Sequence, residues 1–143
     1  MSNKVGIFFL TYDGFYNFTS GIGTQTRTFL EGLNANYYSL VRILGQFEVN
    51  LIVPAYDESV YGYSERHILY TSNLVHKLGG RVFTCASEFD SADSSFWTAS
   101  NWEQVSKSSA EIVLSESANY ERCIVFSIDP PFLITPKYIK LNK

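Results

Sequence analysis

Four short apolar runs, separated by segments whose apolar residues recur every three or four positions, constrain this chain more than any other feature. The first, Lys4 to Leu10, is almost unbroken, as a strand is when a parallel sheet is covered on both faces. The second, Phe47 to Val53, closes at Pro54, which has no N–H to give to a ladder. Arg81 to Cys85 and Arg122 to Ser127 are the third and fourth. From Thr24, the residues Phe29, Leu33, Tyr37, Leu40, Val41 and Leu44 share one helical face that ends near Gly45, with Gly32 and Asn34-Ala35-Asn36 as the point where it divides. Ser64 reads as the N-cap of the next helix, with Ile68, Leu69, Val75 and Leu78 inward and Gly79-Gly80 as its stop. Another opens at Ser100 or Asn101 and turns Trp102, Val105, Ile112 and Val113 inward, and a last amphipathic piece carries Phe132, Leu133 and Tyr138. The serine-rich, acidic stretch Ser87 to Ser95 has no period and reads as a loop.

Strand alternating with helix is the pattern of parallel crossovers, so the expected fold is α/β: a Rossmann-like, doubly wound open parallel sheet. A length of 143 residues suits a single domain of that kind. Such sheets take ligands outside the carboxyl ends of their strands. Three features fall at that edge: the glycine loop Thr19 to Arg27, the loop holding Tyr56 and Asp57, and Asp129.

Composition removes several classes of function. A net charge of -3, with eleven Lys and Arg scattered along the chain, leaves no basic face for nucleic acid. No apolar window approaches the ~20 residues of a membrane span. The run Val5 to Leu10 is shorter than a signal-peptide core and no cleavage site follows it, so a cytoplasmic protein is expected. Cys85 and Cys123, each in an apolar run, read as buried thiols in a reducing compartment. His67 and His76 lack the spacing of a metal pair and read as surface residues. Neither a metal nor a cofactor is expected.

The glycine loop, Ser20-Gly21-Ile22-Gly23-Thr24 with Arg27 one turn later, is not a dinucleotide fingerprint. The position of the third glycine is Thr26, and the second strand ends in Val53-Pro54 rather than an acid. A phosphate-binding P-loop needs a Gly-Lys pair, which the chain lacks. Two readings remain. Either free N–H groups at a helix entrance, ringed by the Ser20, Thr24 and Thr26 hydroxyls, receive an anion, or the glycines let another stretch of backbone come close. Arg27 then either reaches back to a phosphate or faces solvent. Asp129, before Pro130-Pro131, either holds and helps deprotonate an acceptor hydroxyl or forms a turn. The rings of Tyr12, Phe15, Tyr16 and Phe18 line an acceptor cleft or cover an interface.

From Lys4 to Tyr138 the chain resembles the amino-terminal domain of GT-B glycosyltransferases, above all the retaining enzymes of family 4 and the glycogen and starch synthases. The synthase loop K-V-G-G-L-G is matched by Phe18-Thr19-Ser20-Gly21-Ile22-Gly23, and the strand ending V-x-x-P-x-Y by Leu51-Ile52-Val53-Pro54-Ala55-Tyr56. Phe18 replaces a lysine and Ser20 the first glycine; of the later H-x-H-D motif only Asp129 survives, in Phe126-Ser127-Ile128-Asp129. The resemblance implies that the amides of Ser20 to Thr24, with Arg27, face the diphosphate of a nucleotide-sugar donor. It implies that Tyr16, Phe18, Tyr56 and Asp57 meet a sugar or other hydroxyl acceptor, with Asp129 as the catalytic carboxylate. It also implies a separate carboxy-terminal domain that holds the donor, without which the chain is catalytically incomplete. The alternative is a stand-alone Rossmann-like or flavodoxin-like domain that binds a phosphorylated ligand or a protein.

Overall fold

Strand β1 (Lys4–Leu10) runs through the middle of a four-stranded parallel sheet. It pairs on one side with β2 (Gln46–Pro54) and on the other with β4 (Arg122–Ser127), while β3 (Val82–Cys85) lies beyond β2, giving the order β3-β2-β1-β4. The computed structural model describes residues 4–56, 62–87 and 98–142. Burial follows position in the sheet. In β1 every residue after Lys4 is buried, whereas the edge strand β4 alternates between exposed and half-buried residues, because an unbroken apolar run needs cover on both faces.

The two faces are distinguished by rings. Phe9 of β1 and Phe126 of β4, which are register partners, meet Phe29 of helix α2 (Gly21–Ala35), with the Phe9 and Phe29 centroids 4.9 Å apart. The neighbouring residue Phe8 points the other way and meets Tyr120 edge-on, at the end of helix α5 (Ala99–Ser117). Helices α1 (Asp13–Tyr16), α2 and α4 (Glu65–Lys77) pack on one another. Helix α5 packs instead on the 3-10 turn Pro130–Phe132 and on α6 (Thr135–Leu141). The strand order reverses direction at β1, and the expected Rossmann-like, doubly wound architecture is the one observed. Among the described residues no helix is long and apolar enough to cross a membrane.

Several expectations shift. The helix expected from Thr24 begins at Gly21, three residues earlier, because Ser20 caps it: its hydroxyl accepts from the Gly23 amide. It divides where Asn34-Ala35-Asn36 placed the break, and α3 (Tyr37–Leu44) follows. The loop before Gly21 contains the short helix α1, which carries no apolar period of its own. The third strand starts at Val82 rather than Arg81, and α5 is capped by Thr98 ahead of the expected start. On α4, Leu69 is 63% exposed rather than inward, and His67 is buried at 2% rather than on the surface. The buried stripe of α4 runs through His67, Thr71, Leu74 and Val75 to Leu78, and Leu69 lies beside it. The expected loop falls, from residue 88, outside the described residues.

Leu30 is the fully buried leucine of α2. Leu30→Ala is expected to lower the unfolding free energy by about 2–5 kcal/mol in a denaturant titration, whereas Leu69→Ala changes it by less than ~0.5 kcal/mol.

Candidate functional site

At the carboxyl ends of β1 and β4, where the strand order reverses, the chain supplies its own hydrogen-bond acceptor. Asp129 is 3% exposed, and its Oδ2 accepts from the Thr11 hydroxyl (2.7 Å), the Tyr12 amide (2.5 Å) and the Asp13 amide (3.2 Å). Thr11 Oγ1 in turn accepts from the Gly14 amide at 3.0 Å, so the start of α1 is tied to the sheet through one carboxylate. Asp129 Oδ1 is buried without a partner among the described residues. Burial raises the carboxyl above the usual range, and the three donors to Oδ2 oppose that rise. An Asp-Pro sequence at a strand end thus holds the loop after β1, the place a phosphate takes in many sheets of this kind.

The segment from α1 to α2 is fixed by Asn17. Its Oδ1 accepts from the Thr19 amide and hydroxyl and from the Ser20 amide, at 2.9, 3.0 and 3.2 Å. The Phe18 amide donates to the Gly62 carbonyl and the Ser64 amide to the Tyr16 carbonyl, which lays this segment against the residues leading into α4. The two glycines of the loop have different reasons to be glycine. A Cβ on Gly23 would lie 2.1 Å from the Asn17 carbonyl oxygen, so backbone approaches backbone there. A Cβ on Gly21 would meet nothing within 4 Å.

Of the donors that open α2, the Ser20 amide is taken by Asn17 and the Gly23 amide by Ser20. The Gly21 and Ile22 amides have no partner among the described residues, and Gly21 is exposed. Arg27, half-buried one turn further, donates to Thr24 Oγ1 (3.2 Å) and to the Phe18 carbonyl (3.4 Å), and its guanidinium lies 4.9 Å from the centre of the exposed Phe18 ring. Arg27 forms no salt bridge among the described residues. Ser20, Gly21, Ile22, Thr24 and Arg27 therefore assemble into one polar patch with net positive character, since the first turn of a helix carries roughly half a positive charge.

The aromatic side of the edge is tightly built. The hydroxyls of Tyr12 and Tyr56 are hydrogen-bonded to each other, the Tyr16 hydroxyl donates to the Pro54 carbonyl at 2.7 Å, and Tyr16 lies 5.0 Å from Tyr56 and 6.3 Å from Tyr63, ring to ring. Burial, chiefly, raises both the Tyr12 and the Tyr16 phenols, and the bond to Tyr56 adds to the rise at Tyr12. These two tyrosines are core residues whose hydroxyls are already engaged. Phe18, at 54% exposure, and half-buried Tyr56 remain within reach of a ligand. Asp57 lies outside the described residues. Cys85, buried in β3, has its thiol pushed up to about 12 by burial and is chemically quiet.

Sequence reasoning missed Asn17 and His67. The signal for Asn17 was its place before Ser20-Gly21, where an Asn side chain caps the backbone just ahead of it. The signal for His67 was its membership of the four-and-three stripe that buries α4. No protein-family model matches the chain, and no curated protein matches its sequence. The class the fold defines is a Rossmann-like α/β protein with a helix entrance open to solvent beside an arginine.

Three variants test this geometry. Asp129→Ala leaves the Tyr12 and Asp13 amides and the Thr11 hydroxyl without their acceptor and is expected to destabilise the chain by about 2–4 kcal/mol in urea. Gly23→Ala must displace the Asn17 carbonyl and is expected to cost about 1–3 kcal/mol, while Gly21→Ala is neutral or stabilising.

Proposed function

We propose that the chain is the acceptor-side half of a retaining, nucleotide-sugar-dependent glycosyltransferase in which the first turn of α2 faces the donor diphosphate. The observation that carries this reading is the pair of unpartnered amides at Gly21 and Ile22 beside Arg27, which has no carboxylate partner among the described residues. When a sugar leaves its nucleotide, negative charge grows on the departing diphosphate. Preorganised N–H donors and a guanidinium lower the energy of that state. The exposed Phe18 ring and Tyr56 offer flat apolar surface to an acceptor sugar. In this reading Asp129 acts by position: it fixes the β1 loop, and a carboxy-terminal domain supplies the rest of the donor site.

One observation favours a second reading, binding of a phosphorylated ligand without transfer. Asp129, the carboxylate expected to meet an acceptor hydroxyl, has one oxygen bonded to three donors of the chain and the other enclosed.

Gly21→Pro separates an amide from a glycine. Proline suits the first helical position, and Ser20, at φ -75 and ψ 154, already has the extended conformation required before it. Calorimetry with inorganic pyrophosphate is expected to show binding to the wild type, weakened about threefold or more in Gly21→Pro and about tenfold in Arg27→Gln, with no loss of thermal stability in the proline variant. Equal binding by all three contradicts both readings. Release of nucleoside diphosphate from UDP-, GDP- or ADP-sugars, by this chain together with a donor-binding half, separates transfer from binding alone.

A further inference from the structure

His67 is 2% exposed and sits where α4, α1 and α2 meet. Its Nε2 is 2.9 Å from the Gly14 carbonyl oxygen and its Nδ1 is 3.1 Å from Arg27 Nη1. These two partners fix the proton inventory. A guanidinium has only donors, so Nδ1 must carry a lone pair, and a carbonyl only accepts, so Nε2 must carry the hydrogen. One neutral tautomer satisfies both contacts, and the imidazolium does not: its Nδ1–H would point at the Arg27 N–H, with two positive charges in contact.

We propose that His67 is a proton-operated latch on Arg27: neutral, it grips the guanidinium beside the first turn of α2; protonated, it releases it. Released, Arg27 keeps the Thr24 hydroxyl, the Phe18 carbonyl and the Phe18 ring as partners at the entrance. Burial is the main cause of a lowered His67 pKa; the positive charge of Arg27 also lowers it, and the bond to Gly14 opposes both. Arg27 is the charged group in contact with the ring. The other titratable groups on the elements around it are Asp13 and Tyr16 on α1, Glu31 on α2, which accepts from the Tyr70 hydroxyl at 2.6 Å, and Glu65, Arg66, Tyr70, His76 and Lys77 on α4 itself.

The sign follows from the lowered value. The unfolded chain takes up the proton first, so the contribution of His67 to stability is complete above the ordinary histidine value of about 6.5 and is lost as pH falls below it. A second consequence rests on the reading of α2 as a phosphate site. An anion beside Arg27 offsets the repulsion inside the protonated pair, so phosphate binding and protonation of His67 favour each other.

Nitrogen-15 NMR of the histidine and arginine side chains tests the latch, with the exposed His76 as internal reference. The expected result is His67 in the Nε2–H form at pH 7.5, Arg27 guanidinium signals that move with the His67 titration, and a higher His67 midpoint in Arg27→Gln. His67→Gln, which offers an acceptor and a donor but does not titrate, is expected to abolish the pH response of Arg27. An Nδ1–H tautomer, or Arg27 signals indifferent to the His67 titration, would overturn the latch. Inorganic pyrophosphate is expected to raise the His67 midpoint. If pyrophosphate does not bind at any pH, the phosphate reading fails and the side-chain titration still decides the latch.

Discussion

The buried carboxylate of Asp129 is the constraint on which the upper edge of this molecule depends. Parallel strands end with their last carbonyls and the first amides of the next loop exposed at one edge, and at the reversal point between β1 and β4 those amides need an acceptor. Asp129 provides it for Tyr12 and Asp13 and takes the Thr11 hydroxyl as well. The cost is a desolvated carboxyl with one oxygen that has no partner among the described residues. In return, the loop after β1 has a single course, through α1 and Asn17 to the start of α2.

That course decides what the glycine loop is for. Because Asn17 is held, its carbonyl presses against Gly23 and its side chain takes the Ser20 amide, which spends one glycine and one amide on the architecture. The Gly21 and Ile22 amides are left without a partner among the described residues, at the positive end of a fifteen-residue helix, and the space at Gly21 is open. The same packing brings Gly14 and Arg27 to opposite nitrogens of His67. The polar entrance of α2 and the buried histidine behind it are thus two results of one loop conformation.

The sheet was legible because its central strands are apolar without interruption and its helices repeat in threes and fours. Strand β1 falls within the bounds read from Lys4-Val5-Gly6-Ile7-Phe8-Phe9-Leu10, and the Ser64 cap and the break near Asn36 were visible as local chemistry. What was not legible depends on contacts distant in sequence. Asp129 and Thr11 are 118 residues apart, and no local pattern distinguishes a carboxylate that closes a loop from one that meets a substrate. The loop asked whether an anion or a backbone approaches its glycines, and the answer differs within three residues: a carbonyl at Gly23, open space at Gly21. His67 was misplaced because a polar residue on an apolar stripe reads as an exception until its two partners, from α1 and α2, are in position.

The central claim is that the two amides opening α2 are donors held in readiness for a phosphate-bearing ligand, while the loop beneath them is already satisfied by Asp129. Backbone amide NMR during a titration with inorganic pyrophosphate tests it most directly. The account predicts saturable shifts at Gly21 and Ile22, with Tyr12 and Asp13 unmoved because their acceptor is in place. Shifts centred on Tyr12 and Asp13, or none at Gly21 and Ile22 at any concentration of the anion, would contradict it.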